Sequence, residues 1–174
     1  MKEVDPLKIL IVSDNHRDDT RLYDLLNIYD DIDLWLHCGD SEFYVDNKLW
    51  NSYKTVRGNM DWENNFPEVR IEQASDFNVV VLHGHRHQVK NTNDLMLNVA
   101  EENDAKIVFY GHTHVAKVEK EQGVYFINPG SISQPRGDLR VGSYAIYEKT
   151  NEGEFISFYD WNHNELAELS QKLN

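Results

Sequence analysis

This chain of 174 residues has one cysteine. Cys38 alone closes no intrachain disulfide and builds no cysteine-rich zinc site, so a reducing, cytoplasmic address is expected. Long apolar runs are also missing. Runs such as "ILIV" at 9–12 fall far short of the ~20 residues that cross a bilayer, and residues 1–6, "MKEVDP", carry no apolar signal region. Positive charge is sparse: 17 Lys and Arg stand against 30 Asp and Glu, a net charge of −13. No Lys/Arg cluster marks a basic groove. Such a surface repels phosphate backbones and anionic membranes, so neither bulk nucleic acid nor a membrane is an expected partner. An anionic small molecule has to be drawn by something else, and bound cations would do it. Repeats, low-complexity tracts and linkers are absent, so 1–174 reads as a single domain long enough to bury a core.

What is present is a regular alternation. "LKILIVS" (7–13) reads as a buried strand. In "RLYDLLNIY", Leu22, Leu25, Leu26 and Tyr29 recur at helical spacing, with Asp18, Asp19 and Thr20 available to cap the N-terminus. "DLWLHCG" (33–39), "YKTVRG" (53–58), "VRIEQ" (69–73) and "NVVVLHG" (78–84) read as strands. "NDLMLNVAEEN" (93–103) reads as a helix with Leu95, Met96, Val99 and Ala100 inward. "KIVFYG" (106–111) is another strand. "HVAKVEK", "VYFIN", "GSYAIYEK" and "EFISFYD" follow as strands, split by glycine turns. The closing "NHNELAELSQKL" reads as a short helix. Strand–helix alternation followed by a strand-rich third predicts an α/β fold of two packed sheets with helices outside.

Ligands of open α/β sheets gather beyond the carboxyl ends of the strands. Five such ends carry Asp, Asn or His: Asp14-Asn15-His16, Gly39-Asp40, Gly58-Asn59-Met60-Asp61, His83-Gly84-His85 and Gly111-His112-Thr113-His114. Imidazole with carboxylate is the donor mix for Mn, Fe, Zn or Ni. Alternate positions such as His112 and His114 let one loop serve two neighbouring points. Asp40 is suited to bridge two cations, which about 3.5–4 Å apart would clamp a phosphoryl group and activate water.

"DNH", "GD", "GNMD", "HGH" and "GHTH", in that order, resemble the calcineurin-like metallophosphoesterase superfamily. "VRGN", "LHGHRH" and "INPGSISQPR" make the chain similar to its small YfcE-type phosphodiesterase group, whose fold the eukaryotic retromer subunit shares. The resemblance covers nearly the whole chain. It implies a four-layer αββα sandwich of two mixed β-sheets flanked by helices. It also implies that Asp14, His16 and His114 hold one metal, that Asn59, His83 and His112 hold the other, and that Asp40 bridges. The implied activity is two-metal hydrolysis of small phosphate diesters, with Mn²⁺ as the expected activator and Ni²⁺, Fe²⁺ or Zn²⁺ as alternatives. Asp40, Asn59 and His85 are the catalytic candidates. The alternative is a weakly catalytic or non-catalytic protein-binding scaffold of retromer-subunit kind. Homo-oligomerisation is left open.

One position departs from the wider superfamily, where a histidine often follows the Gly-Asn of the third motif and protonates the leaving group. Here Met60 stands there, and a thioether donates no proton; His85 and Asp61 are the substitute candidates. Other residues read more plainly. His37 belongs to the core or braces the site, His87 and His163 lie at the surface, and Cys38 is a small buried side chain. The "NPGS" turn (128–131) supports the site. Arg17, Arg57, Arg86 and Arg136 are the cations near the motifs.

Overall fold

In a computed structural model, residues 4–174 are described. β1 (Leu7–Val12) is followed by α1 (Thr20–Ile28), β2 (Leu34–His37), a 3-10 turn (Lys48–Asn51) and β3 (Tyr53–Thr55). Next come β4 (Val69–Ala74), β5 (Phe77–Leu82), α2 (Asp94–Glu102) and β6 (Ala105–Phe109). The rest is β7 (Lys117–Glu121), β8 (Val124–Asn128), β9 (Ser143–Thr150), β10 (Gly153–Asp160) and β11 (Gln171–Leu173). One sheet has the order β11-β10-β9-β1-β2-β3 and the other β4-β5-β6-β8-β7. Both are mixed: β1–β2–β3 and β5–β6–β8 run parallel, with antiparallel strands outside them.

The continuous apolar strands are explained by burial on both faces. Along β1, Ile9 and Ile11 face the space between the sheets, while Leu10 and Val12 face Leu22 and Leu25 of α1. Along β5, Val79 and Val81 join the same inter-sheet core, while Val80 and Leu82 meet Met96, Leu97 and Ala100 of α2. The layers are therefore α1, sheet, sheet, α2, the expected αββα sandwich. Among the described residues, no helix is long and apolar enough to cross a membrane.

Four expectations need correction. The closing segment is not a helix. Leu166 to Ser170 makes one turn, with Leu169 N and Ser170 N both donating to the Leu166 carbonyl, and the chain then pairs as β11 against β10. Leu166, Leu169 and Leu173 have helical spacing, but pairing with an open sheet edge lets all three reach the inter-sheet core. At α1, Asp19 makes no side-chain cap; the Asp18 carboxylate accepts from Arg21 N at 3.3 Å instead. In α2, Leu97 rather than Leu95 is buried. β7 starts at Lys117, which leaves His114 in a loop.

The parallel strands place their carboxyl ends along one edge of each sheet. Asp14 N donates to the Gly39 carbonyl at 3.1 Å and Gly111 N to the His83 carbonyl at 3.0 Å, so the loops continue the ladders beyond the strands. His83 Nδ1 bonds the Cys38 carbonyl at 2.7 Å, and His112 N donates to Asp14 Oδ2 at 3.1 Å. These two bonds join the loop sets of the two sheets.

Candidate metal centre

The loops turn sharply where the candidate ligands sit. Asp14, His16, Asp40, His112 and His114 all have positive φ, between 42° and 69°. Left-handed backbone is strained for residues with a Cβ, and five such residues in one place mark a site that the surrounding hydrogen bonds hold against strain. Asp61 supplies much of that restraint. Its buried carboxylate accepts from Asp40 N, Ser41 Oγ, Glu42 N and Gly58 N. The NPGS turn does the same for Asp14. Ser131 Oγ donates to the Asp14 carbonyl at 2.7 Å, and Ser133 Oγ reaches the carbonyls of Asp14 and Asn15. Gly58 is required by close approach, because a Cβ there would overlap the Asp40 carboxylate.

The seven expected ligands converge. Asp14, His16 and His114 form one group of donors, and Asp14, Asp40 and His83 form an adjoining one. Asn59 Oδ1 joins from the side, 3.1 Å from His83 Nε2 and 3.0 Å from His112 Nδ1. The two histidines of "GHTH" go to different partners: His114 lies tilted against His16 and His112 edge-on to His83, each pair with centroids 5.1 Å apart. The carboxylate common to both groups is Asp14, whereas Asp40 meets His83 Nε2 at 3.2 Å.

The protonation pattern tells what the cluster fits. His16 Nδ1 lies 2.9 Å from Glu42 Oε1, His83 Nδ1 2.7 Å from the Cys38 carbonyl and His114 Nδ1 2.7 Å from the Gln134 carbonyl. Each partner is an acceptor, so each Nδ1 carries a proton, and each ring, once its Nε2 is deprotonated, turns a lone pair inward. Those three atoms lie 3.8, 3.9 and 3.1 Å from Asp14 Oδ1, respectively. Asp14 Oδ1 is buried and has no aligned hydrogen-bond donor. Inward lone pairs around a bare carboxylate oxygen suit a cation, and the residues present fit a divalent metal.

Charges respond accordingly. Burial pushes the Asp14 carboxyl up, but His83 and His114 outweigh it and hold the pKa at about 2. Burial pushes His83 down, but Asp14 and Asp40 raise it to about 9. Burial, then the charge of His83, lowers His112 to about 4.

A cleft of about 410 Å³ opens over the cluster, lined among others by His16, Asp40, Asn59, Met60, His112 and His114. Lys90 and Arg136 also line it. Sequence reasoning missed Lys90, which follows no strand and belongs to no motif. Of the arginines considered, Arg17 pairs with Glu42, and Arg57 and Arg86 pair with Glu68; Arg136 alone faces the cleft. His85 stands beside the centre, its ring 5.5 Å from His83 and 6.3 Å from His112 and its Nε2 3.8 Å from Glu68. Burial and the charge of His83 lower its pKa. His37 is a buried brace, bonded to Asn15 and Thr55, and Cys38 is buried with its thiol pKa raised by burial. His87 and His163 are half-buried rather than on the surface; His163 Nδ1 bonds Tyr144 OH at 2.9 Å, and His87 N donates to the Gly84 carbonyl at 2.9 Å.

A sequence model of the calcineurin-like phosphoesterase superfamily domain matches residues 7–152. The chain belongs to that superfamily. It is 36% identical over 171 residues to a probable metallophosphoesterase, YsnB, of Bacillus subtilis, covering 96% of this chain and 99% of the relative. A crystal structure from Streptococcus pneumoniae, described as a predicted phosphoesterase, superposes with a TM-score of 0.92 at 32% identity, covering 98% of each chain. Two more distant structures share the fold alone. The phosphoesterase YfcE of E. coli has a TM-score of 0.71 at 21% identity, with 97% of this chain and 100% of that chain covered. Vps29 of Entamoeba histolytica complexed with Zn²⁺ has 0.73 at 19%, with 96% and 98% covered. The metallophosphoesterase family binds divalent metals, and the Asp/His cluster of this member fits such a site.

Proposed function

We propose that this metallophosphoesterase hydrolyses small phosphate diesters with two divalent cations, Mn²⁺ foremost. Asp14, His16 and His114 would hold one ion, Asn59, His83 and His112 the other, with Asp40 between them. The observation that carries the reading is the set of inward Nε2 lone pairs around Asp14 Oδ1, an atom with no hydrogen-bond donor. When bound, such a pair polarises phosphoryl oxygens and lowers the pKa of water between the ions. The chain's own residues do the rest. Lys90 and Arg136 offer positive charge to the phosphate in an otherwise acidic molecule. Met60 N donates to Asp40 Oδ1 at 2.7 Å and fixes that carboxylate. Asp61 is committed to four donors and is no longer a candidate acid.

The test is metal content by elemental analysis, together with hydrolysis of bis-p-nitrophenyl phosphate with Mn²⁺ and with chelator. Two ions per chain and chelator-sensitive turnover are expected. The likeness to Vps29 favours a second reading, a protein-binding scaffold on the same fold. Convergent donors alone do not separate the two readings, because Vps29 also takes Zn²⁺, and activity is what separates them. Mn²⁺-loaded protein that cleaves no phosphate ester would support the scaffold.

A further inference from the structure

We propose that a pocket on the rim of the metal cleft binds a planar ring of the substrate, a nucleobase, so that the diester is a nucleotide ester. This rests on the phosphodiesterase reading above. The pocket is a cavity of about 190 Å³ lined by Arg17, Glu42, Phe43, Tyr44, Trp62 and Glu63. Trp62 is 67% exposed and Tyr44 64%, so two large aromatic side chains stand in water beside each other's segment. The pocket is continuous with the metal cleft through Glu42, which lines both. The Glu42 carboxylate holds His16 Nδ1 at 2.9 Å on one side and Arg17 Nε at 2.8 Å on the other. The Arg17 guanidinium in turn lies 5.7 Å from the centre of the Trp62 ring.

The separation suits one nucleotide. Met60 lines the cleft and its amide touches Asp40, and Trp62 is two residues further on, so their Cα atoms are at most ~7 Å apart. A sugar spans such a gap between a phosphate and its base. The charges select a neutral ring. Arg17 is matched by Glu42, and Glu63 adds a negative charge, so a second phosphate is disfavoured there. A flat ring stacked on the exposed face of Trp62 or Tyr44 is favoured. The net charge of −13 argues for a small nucleotide ester rather than a long strand.

The test compares thymidine 5′-p-nitrophenyl phosphate with methyl p-nitrophenyl phosphate on Mn²⁺-loaded protein. Both release the same phenolate, so the ratio of their kcat/KM values reads the retained group. Wild type should favour the thymidine ester. Trp62→Ala should lower the ratio roughly 5- to 100-fold, the worth of one base–aromatic stack, and Trp62→Phe should restore most of it. A ratio that Trp62→Ala leaves unchanged overturns the proposal. Calorimetry of AMP against methyl phosphate supplies a second readout, with AMP expected to bind tighter in wild type but not in Trp62→Ala. If neither ester is cleaved, the phosphodiesterase reading fails and the calorimetry decides. A Trp62-dependent preference for AMP then supports the ring pocket, and equal affinities overturn it.

Discussion

His16 Nε2 and His114 Nε2 face each other at 3.2 Å, while the other nitrogen of each ring is bonded to an acceptor oxygen. Two neutral rings in that arrangement oppose lone pair to lone pair, which a cation between them relieves. Next to them, Asp14 and Asp40 raise His83 to about 9, so a proton occupies part of the cluster when metal is removed. Mn²⁺ must displace that proton at neutral pH. Apparent affinity should therefore rise with pH, up to about tenfold per unit, and level off above about pH 9. Calorimetric titration in buffers of different ionisation enthalpy should show proton release. Heats independent of the buffer would contradict this.

Asp40→Asn and His112→Ala should each reduce turnover of bis-p-nitrophenyl phosphate by at least about 100-fold. Each removes a donor from the second group while leaving Asp14, His16 and His114 intact. Elemental analysis of the variants should show a lowered metal content. Near wild-type turnover by Asp40→Asn would assign the activity to another site.

Met60 occupies the cleft where a proton donor would stand, and the Asp61 carboxylate is fully bonded. His85 has a lowered pKa, faces Glu68 and is not among the residues lining the cleft. The leaving oxygen should therefore depart with little help, and rate should depend steeply on leaving-group pKa across a series of aryl and alkyl diesters. Losing a general acid costs about 10²–10⁴-fold, most for poor leaving groups. Met60→His should flatten the slope. A shallow slope in wild type that His85→Ala leaves unchanged would point to a donor outside these residues.

Gly58→Ala should disturb the centre without touching a ligand. The added Cβ overlaps the Asp40 carboxylate. Stability should fall by about 1–3 kcal/mol, and Mn²⁺ affinity by about tenfold or more as Asp40 shifts. Denaturant unfolding and metal titration measure the two effects. Unchanged Mn²⁺ affinity would mean that Asp40 moves freely.

His37 is buried between Asn15 and Thr55, and burial lowers its pKa to about 4 despite nearby Asp61 and Asp14. The unfolded chain takes up this proton at higher pH than the folded one. Its contribution is therefore fully present above about pH 6.5 and is lost as pH falls towards about 4. The loss should approach about 3 kcal/mol. His37→Gln should show a smaller decline in unfolding free energy over this window than wild type. Parallel curves would exclude His37 as a source of the acid sensitivity.

The order of donors along the chain, and their position after strands, were legible in the sequence because two-sided burial demands continuous apolar runs. "ILIV" and "NVVVL" could be little else than central strands, and residues just past the end of a parallel strand face the ligand edge. The seven candidate ligands and the αββα layering come from that pattern and from the family it resembles. Other features were decided only by the tertiary structure. The Leu166, Leu169 and Leu173 spacing suits a helix equally well, and only the open edge of β10 turns its end into a strand. The oxygens that fix the three imidazoles come from Glu42, Cys38 and Gln134, two of them main-chain carbonyls that every residue possesses and no motif can mark. Lys90 reaches the cleft, and Trp62 meets Arg17, through loop paths that no local periodicity encodes. Periodicity reports which face of an element is buried. The folding of loops around strained, left-handed residues decides which donor atoms from sequence-distant segments come together.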